Sequence, residues 1–196
     1  VSYCAHASPV GVAVNHRDAI AAVRTPYFAI LNYDDAWEPT FLETLVPALD
    51  THPECVLAFS DHSFIDTDGR LLPDLTDRMT ARWGRDRLQE GLQTERASLL
   101  AAGTVPVAMS TVVRTAEAQR HPIPDAAGPA YDLWLHYALA TEGRPYWYSP
   151  KRLTQYRVHD LAGTSLGNPD WYRGTASCWA AVRTAFPFPT VNPTPP

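Results

Sequence analysis

Short apolar runs alternate along this chain with longer segments in which apolar residues recur at helical spacing. Two such runs, residues 27–33 and 55–60, predict strands. The second is apolar at nearly every position, as in a parallel strand that is covered on both faces. Between the two runs, Phe41, Leu45 and Leu49 define one apolar helical face. The pattern therefore predicts a strand, a helix and a second strand in succession.

Proline and glycine refine this pattern. Pro47 is expected to kink or shorten the helix in which it falls. Residues 65–70 read as a turn in which Gly69 takes a positive φ, and residues 71–93 as a loop with a short helix. The other predicted helices cover residues 12–23, 94–102, 131–140 and 171–186, and the other predicted strands cover residues 1–4, part of 105–114, 146–148 and 153–159.

Adjacent carboxylates stand where the first long apolar run ends. Asp34 and Asp35 follow the predicted strand directly, and Pro39 stands at a plausible first position of the next helix. In open α/β sheets, ligands bind beyond the carboxyl ends of the strands, so these acids could hold a cation and an anionic ligand. Turn formation and helix capping are an equally good explanation of the two acids at this stage.

Length and composition indicate one globular domain, with 196 residues of which 45% are hydrophobic and 11% aromatic. The formal net charge of −5 gives no electrostatic reason to expect nucleic-acid binding. No apolar run approaches the roughly 20 residues of a membrane span. Cys4, Cys55 and Cys178 are distant in sequence and odd in number, which fits a reducing compartment. We therefore expect a soluble, cytoplasmic protein.

Five sequence pieces, taken in order, resemble those of a known enzyme family. They are Gly11-Val12-Ala13-Val14-Asn15, the Asn32-Tyr33-Asp34-Asp35 region, Val56-Leu57-Ala58-Phe59-Ser60-Asp61 with Ile65-Asp66-Thr67-Asp68-Gly69, Tyr131-Asp132-Leu133-Trp134-Leu135, and Tyr156-Arg157-Val158-His159. The ordered set resembles the Asp-x-Asp type of family 2 glycosyltransferases. The resemblance runs from about Gly11 to His159.

This resemblance implies an α/β, Rossmann-like GT-A fold with a mostly parallel central sheet and helices on both faces. It also implies that the start of the usual domain is missing from this chain. We therefore expect a partial GT-A domain over residues 1–186, followed by a proline-rich tail at residues 187–196.

The implied reaction is transfer of a sugar, with inversion, from a nucleoside diphosphate donor to an acceptor hydroxyl. Mn²⁺ or Mg²⁺ is the implied cofactor, because the departing diphosphate must be neutralised. The implied partners are the nucleotide-sugar donor and an acceptor that is a small molecule, a glycan or a lipid-linked molecule. In such enzymes the loops that correspond to residues 71–93 vary with the acceptor.

Site residues follow from the resemblance position by position. Asp34 is the implied metal ligand, and Asp35 orients the loop or a bound water. Asn32 replaces the acid that in the family contacts the ribose or a metal-bound water, so it keeps an acceptor oxygen but loses the charge. His159 matches a histidine that can reach the metal or the diphosphate, although a lone histidine is often only structural. Arg157 either pairs with phosphate or braces the loop.

The first predicted helix supplies the remaining donor-binding candidates. Asn15 and Arg17 fall at positions that, in the family, help to hold phosphate or to order the metal loop. The alternative is that they belong to a solvated first turn.

A general base for the acceptor is the least clear part of the predicted site. The family commonly has Glu-Asp directly before the position of Tyr131, where this chain has Pro129-Ala130. Asp132 is the nearest remaining carboxylate and is our candidate for the catalytic base. The alternative is that it only caps its helix.

Two other functions remain open from the sequence. A truncated or degenerate glycosyltransferase fold that binds a ligand without turnover is favoured by the late start, Asn32 and Pro129-Ala130. A metal-dependent phosphoryl enzyme that uses Asp34 and Asp35 is less favoured, because no phosphate-binding glycine loop accompanies them.

Overall fold

The structure is a computed structural model that describes residues 3, 5–159 and 169–185. The predicted strand at residues 1–4, a predicted loop at residues 163–167 and the proline-rich tail at residues 187–196 lie wholly or mostly outside these residues. Within the described part of the chain, no helix is long and apolar enough to span a bilayer.

The described chain contains seven α-helices and six strands. The helices are α1 (Val12–Ala22), α2 (Phe41–Thr51), α3 (Pro73–Arg82), α4 (Arg96–Ala101), α5 (Thr115–Gln119), α6 (Tyr131–Thr141) and α7 (Pro169–Ala185). The strands are β1 (Tyr27–Ala29), β2 (Ala36–Trp37), β3 (Leu57–Ile65), β4 (Gly91–Gln93), β5 (Thr111–Arg114) and β6 (Tyr146–Arg157). Short 3₁₀ segments occur at Arg85–Arg87 and Asp125–Ala130.

The six strands form one sheet in the order β1-β5-β3-β6-β2, and β4 also pairs with β6. Among the described strands, β3 and β6 are the one parallel pair of neighbours, and the other pairings are antiparallel. The prediction of a mostly parallel sheet is therefore wrong for these neighbours. Strand β5 lies between β1 and β3 and runs against both, a pairing that the local apolar pattern of a strand does not encode.

Strands β1, β3 and β6 nevertheless run in the same direction. Because β5 is antiparallel to both β1 and β3, those two strands are parallel to each other, and β6 pairs directly with β3 in parallel. Their carboxyl ends therefore reach the same edge of the sheet. The segments that follow them begin at Ile30, Asp66 and Val158, so residues distant in sequence meet at this edge.

Helices cover both faces of the sheet, as predicted. On β3, Leu57 and Phe59 pack in a core cluster with Leu135 and Leu139 of α6. The intervening Ala58 belongs to a second cluster on the opposite face, formed with α2 residues Phe41, Leu45 and Leu49 and with Val112 and Leu153. The two clusters follow from the strand's side-chain period of two, so β3 is buried on both sides.

Several elements differ in extent from their predictions. The predicted strand at residues 27–33 ends at Ala29, because the chain then turns and the amide of Asp35 donates to the carbonyl of Asn32 at 3.3 Å. Helix α2 is not shortened at Pro47 and continues to Thr51. Residues 71–93 contain a ten-residue helix and strand β4 in addition to loop. The two aromatic strands predicted at residues 146–159 form the single strand β6.

Candidate active site

The loop after β1 presents two acids on a turn that is fixed by its own hydrogen bonds. The Nδ2 of Asn32 donates to the Oδ2 of Asp35 at 3.2 Å, across the turn closed by the Asp35 amide. Tyr33, between Asn32 and the acids, is 92% exposed. The turn therefore holds its polar side chains against the protein and leaves an aromatic ring in solvent.

His159 lies against the first of these acids. Its Nε2 is 3.0 Å from the Oδ2 of Asp34, and the two side chains are only 16% and 21% exposed. His159 comes directly after β6, whereas Asp34 comes after β1, so the shared sheet edge brings them together. The structure thus joins the two residues that the sequence nominated as metal ligands.

Arg157, the last residue of β6, braces this edge of the sheet. Its Nε donates to the carbonyl oxygen of Asp34 at 2.8 Å, and its Nη1 donates to the carbonyl oxygen of Asp66 at 2.8 Å. The guanidinium therefore links the loop after β1 to the turn after β3. Of the two roles open for Arg157 from the sequence, the described structure shows the brace.

Asp35 is part of the same brace. Its Oδ1 accepts the main-chain amide of Arg157 at 3.0 Å, while its Oδ2 accepts from Asn32. Burial raises the pKa of Asp35, and the hydrogen bonds from Arg157 and Asn32 act in the opposite direction. Both oxygens of Asp35 are thus engaged in ordering the loop, which leaves Asp34 as the acid with a side chain directed to His159.

The turn after β3 is a further structural use of acids at this edge. Asp66 accepts the amides of Asp68 and Arg70 with its Oδ1, at 2.9 and 2.8 Å, and Gly69 has a φ of 83°. These acids therefore form the turn, as predicted.

The start of α6 approaches the acid loop from the other side. The hydroxyl of Tyr131 donates to the Oδ1 of Asn32 at 3.5 Å. Asp132, the next residue, accepts the amide of Leu133 at 2.8 Å with its Oδ1. Burial raises the pKa of Asp132, and its bonds to backbone amides at the helix start lower it. Asp132 thus follows a residue of the site directly, and its carboxylate bonds to the amide of the next residue rather than capping the helix.

Helix α1 contributes to the site through a residue that the sequence did not select. The ring of His16 stacks on Tyr131 with 3.7 Å between centroids and 20° between planes. Asn15 and His16 both line an open cavity of about 590 Å³, with the preceding loop from Ala5 to Gly11 along its side. The cavity is therefore the space nearest to the first turns of α1.

Arg17 is placed differently from its prediction as a donor-binding residue. Its Nη1 donates to Asp125 and to the carbonyl oxygen of Ile123, and it lies beside a smaller cavity of about 200 Å³ bordered by Ile20 and Leu135. Consecutive helical residues point about 100° apart, so Asn15, His16 and Arg17 cannot share one face. The polar residues at the start of α1 therefore line two different cavities.

A complete protein cage for a metal is not present in the described residues, where no group of three or more His, Cys, Asp and Glu side chains converges. Asp34 and His159 form a pair of such ligands. At phosphate-binding sites of enzymes, Mg²⁺ often takes only one or two protein ligands and completes its coordination with phosphate oxygens and water. The pair therefore fits a cation that is shared with a ligand.

His16 and Tyr131 are the site residues that sequence reasoning missed. Both were visible in the sequence, His16 beside Asn15 and Tyr131 at the start of the α6 segment, but nothing local indicated that they stack on each other. The contact joins two helices that are more than 100 residues apart in sequence, so only the tertiary fold reveals it.

Comparison with known proteins identifies the family of the chain. The model of the family "Glycosyl transferase family 2" matches residues 1–107, and no curated protein matches the chain. The matched region contains α1, β1, the Asn32–Asp35 turn and β3, whereas Asp132, Arg157 and His159 lie beyond it. With a match over more than half of its length and a sheet covered by helices on both faces, the chain belongs to glycosyl transferase family 2 and has an α/β architecture consistent with the GT-A fold.

Proposed function

We propose that the chain transfers a sugar from a nucleoside diphosphate donor to an acceptor hydroxyl, with inversion and with the help of Mn²⁺ or Mg²⁺. Family membership supports a glycosyltransferase-type function, and the donor, the inversion and the metal are the finer parts of the proposal. The observation that carries the metal-assisted reaction is the contact between Asp34 and His159 at the carboxyl edge of the sheet.

Asp34 and His159 are held next to each other, with 3.0 Å between Oδ2 and Nε2, which is the distance of a hydrogen bond. A divalent cation would bind both side chains by replacing the proton that they share. A bound cation would stabilise the negative charge that develops on the departing diphosphate. An imidazole ligand favours a transition metal, so Mn²⁺ is expected to bind more tightly than Mg²⁺.

The remaining residues of this edge would hold the reacting groups in place. Arg157 and Asp35 keep the acid loop in one conformation through hydrogen bonds to its backbone and to Asn32. Asn15 lines the cavity of about 590 Å³, which is large enough for part of a nucleotide sugar. Such positioning is a major source of rate enhancement when two substrates must meet in line.

The test is calorimetric binding of UDP, dTDP and GDP with Mn²⁺, with Mg²⁺ and without metal. We expect metal-dependent binding of at least one nucleotide by the unaltered chain. Asp34→Asn is expected to weaken that binding at least about tenfold, since it removes the charged ligand. Asp68→Asn is the matched control, because Asp68 is an exposed acid in the neighbouring turn, and it should bind as the unaltered chain does.

Binding alone does not establish transfer, so the same chain is assayed for release of nucleoside diphosphate from nucleotide sugars, with proton NMR of the anomeric configuration of any product. Absence of binding by every nucleotide, in a chain shown to be folded, contradicts the proposal and favours a degenerate fold. Binding without release of diphosphate favours a binding module without turnover, the alternative that Asn32 and Pro129-Ala130 suggest.

A further inference from the structure

We infer that His16 is the general base that takes the proton from the acceptor hydroxyl, and that Asp132 acts on it as a neighbouring charge. This inference rests on the proposed transferase function. It concerns the residue that the reaction needs and that the chain does not provide at Pro129-Ala130, where neither side chain can take up a proton.

The carboxylates of the site are occupied by other partners. Asp35 accepts hydrogen bonds with both oxygens, and Asp34 contacts His159. Asp132, in the first turn of α6, accepts the amide of the next residue, Leu133. Each of these acids therefore has a hydrogen-bond partner in the described structure, and that bond competes with proton transfer.

His16 differs from these acids, because the described residues leave one of its ring nitrogens without a hydrogen-bond partner. Its Nδ1 lies 2.9 Å from the carbonyl oxygen of Val12, and a carbonyl only accepts, so Nδ1 carries the proton. The neutral ring therefore has its lone pair on Nε2, for which the described residues provide no hydrogen-bond partner. The residue lines the cavity that also contains Asn15.

The ring is held in place by its neighbours. It stacks on Tyr131, whose hydroxyl reaches Asn32 of the acid loop, so His16 is connected to the Asp34 edge through two contacts. A base must be positioned within hydrogen-bond reach of the proton that it removes, and a stacked ring with a fixed tautomer satisfies the requirement for orientation.

The surrounding charges are compatible with a neutral base near pH 7. Burial lowers the pKa of His16, whereas its bond to Val12 and the charge of Asp132 on α6 raise it. The charged groups on the other elements that pack against α1 have closer partners. On α1 itself, Arg17 pairs with Asp125 of the 3₁₀ segment, and Asp18 lies near His6. On α5, Glu117 pairs with Arg120 and Arg144.

The proposed step balances in atoms and charge. The acceptor oxygen forms its bond to the anomeric carbon of the donor while its proton passes to Nε2 of His16. The bond from the anomeric carbon to the diphosphate oxygen breaks, and the diphosphate leaves with that electron pair. The imidazolium then returns its proton to solvent through the cavity.

The experiment measures the pH dependence of diphosphate release, with water or added glycerol as the acceptor, in the full chain and in His16→Phe. Phenylalanine keeps the stack on Tyr131 but cannot take a proton. We expect kcat to fall about 10²- to 10⁴-fold in His16→Phe, with loss of the acidic limb of the profile and with nucleotide binding within about threefold of the unaltered chain. His52→Phe is the matched control, because His52 is paired with Glu54 away from the site.

Asp132→Asn separates the two candidate bases. If His16 is the base, this variant keeps most of its kcat and its acidic limb moves to lower pH, since the charge that raises the pKa of His16 is gone. A collapse of kcat in Asp132→Asn together with a mild effect in His16→Phe overturns the inference and leaves the transferase function intact. The imidazole ¹⁵N shifts of His16 provide a test without turnover, because a proton on Nε2 in the resting chain also overturns it.

If the unaltered chain neither binds a nucleotide nor releases diphosphate, the proposed function is contradicted, and the assignment of His16 as the base is contradicted with it. A chain that binds nucleotide and turns over, but is insensitive to His16→Phe, contradicts only the assignment of the base.

Discussion

The Nε of Arg157 donates to the carbonyl oxygen of Asp34 at 2.8 Å, so the last residue of β6 fixes the backbone of the acid that follows β1. The same guanidinium reaches the carbonyl oxygen of Asp66 after β3. One side chain therefore ties together the carboxyl ends of the three strands that run in the same direction. The position of Asp34 at this edge therefore depends on Arg157, which need not contact a ligand itself.

Replacing Arg157 by lysine tests this brace. A lysine ammonium has no planar fork and cannot reproduce both bonds in the same geometry. We expect Arg157→Lys to lower the free energy of unfolding by about 1–3 kcal/mol, measured by denaturant titration, and to weaken metal-dependent nucleotide binding about tenfold. Arg70→Lys, at an exposed arginine of the neighbouring turn, is the control and should change neither. Full nucleotide affinity in Arg157→Lys would show that the loop keeps its conformation unaided.

An ion pair of Asp61 with Arg85 lies inside the protein and stabilises the sheet. Asp61 on β3 accepts the Nε of Arg85 at 2.6 Å and the hydroxyl of Thr80 at 2.8 Å, and both charged side chains are almost fully buried. Removal of one partner of a buried pair leaves an uncompensated charge, so we expect Asp61→Asn to cost about 3–5 kcal/mol of unfolding free energy. Asp77→Asn removes an exposed partner of Arg152 and should cost less than about 1 kcal/mol.

The same pair predicts a pH dependence. Burial by itself would raise the pKa of Asp61, but Arg85 and the hydrogen bond from Thr80 hold it below its usual value. A carboxyl with a lowered pKa in the folded state stabilises the protein at neutral pH, and this contribution is lost as the pH falls through that pKa. Urea titrations from pH 7 to pH 3 should therefore show a smaller acid-induced loss in Asp61→Asn. An equal loss in both proteins would assign the acid sensitivity to other groups.

Elements were easier to predict from this sequence than their pairing. The continuous apolar run of β3 and the helical spacing of Phe41, Leu45 and Leu49 are local patterns, and both elements are present with helices on both faces of the sheet. The insertion of β5 between β1 and β3 was not predictable in this way. The position of β5 depends on how its side chains pack against those of neighbouring strands, and the composition of a single strand does not specify which strand pairs with it.

Some residues of the candidate site could likewise be predicted from the sequence, and others depend on tertiary packing. Asp34 and His159 were nominated from the family resemblance, and each follows a strand, so strands that run in the same direction deliver both to one edge. Arg17 was nominated from the same resemblance, but the rotation of the helix carries it to Asp125. His16, one residue earlier, faces Tyr131 instead. Spacing identifies a polar cluster, whereas the packing of α1 decides which member reaches the site.

Gly174 of α7 marks a close approach that the sequence alone does not show. A Cβ at this position would lie 2.2 Å from the carbonyl oxygen of Ala127, in the 3₁₀ segment that leads into α6. Alanine normally stabilises a helix relative to glycine by about 1 kcal/mol. Here the clash should reverse the sign, and we expect Gly174→Ala to lower the unfolding free energy by about 1–3 kcal/mol in chemical denaturation.

Ser177→Ala on the same helix is the matched control for Gly174→Ala. Ser177 is exposed and donates only to the carbonyl oxygen of Arg173 within its own helix, so alanine there should be neutral or slightly stabilising. If Gly174→Ala is also stabilising, α7 does not approach Ala127 as closely in solution as the structure shows.

The buried carboxyl of Asp132, in the first turn of α6, is expected to lower the stability of the protein when it is ionised. Burial raises its pKa, so the folded chain favours the protonated carboxyl, and its ionisation costs stability as the pH rises through that raised pKa. Asparagine can still accept the amide of Leu133 and carries no charge. We therefore expect Asp132→Asn to be more stable than the unaltered chain at pH 7, with the difference shrinking toward pH 4, as measured by urea titration at each pH. A variant that is less stable at both pH values would show that the carboxylate is needed as a helix cap, since only then does the loss of its charge outweigh the relief of burying it.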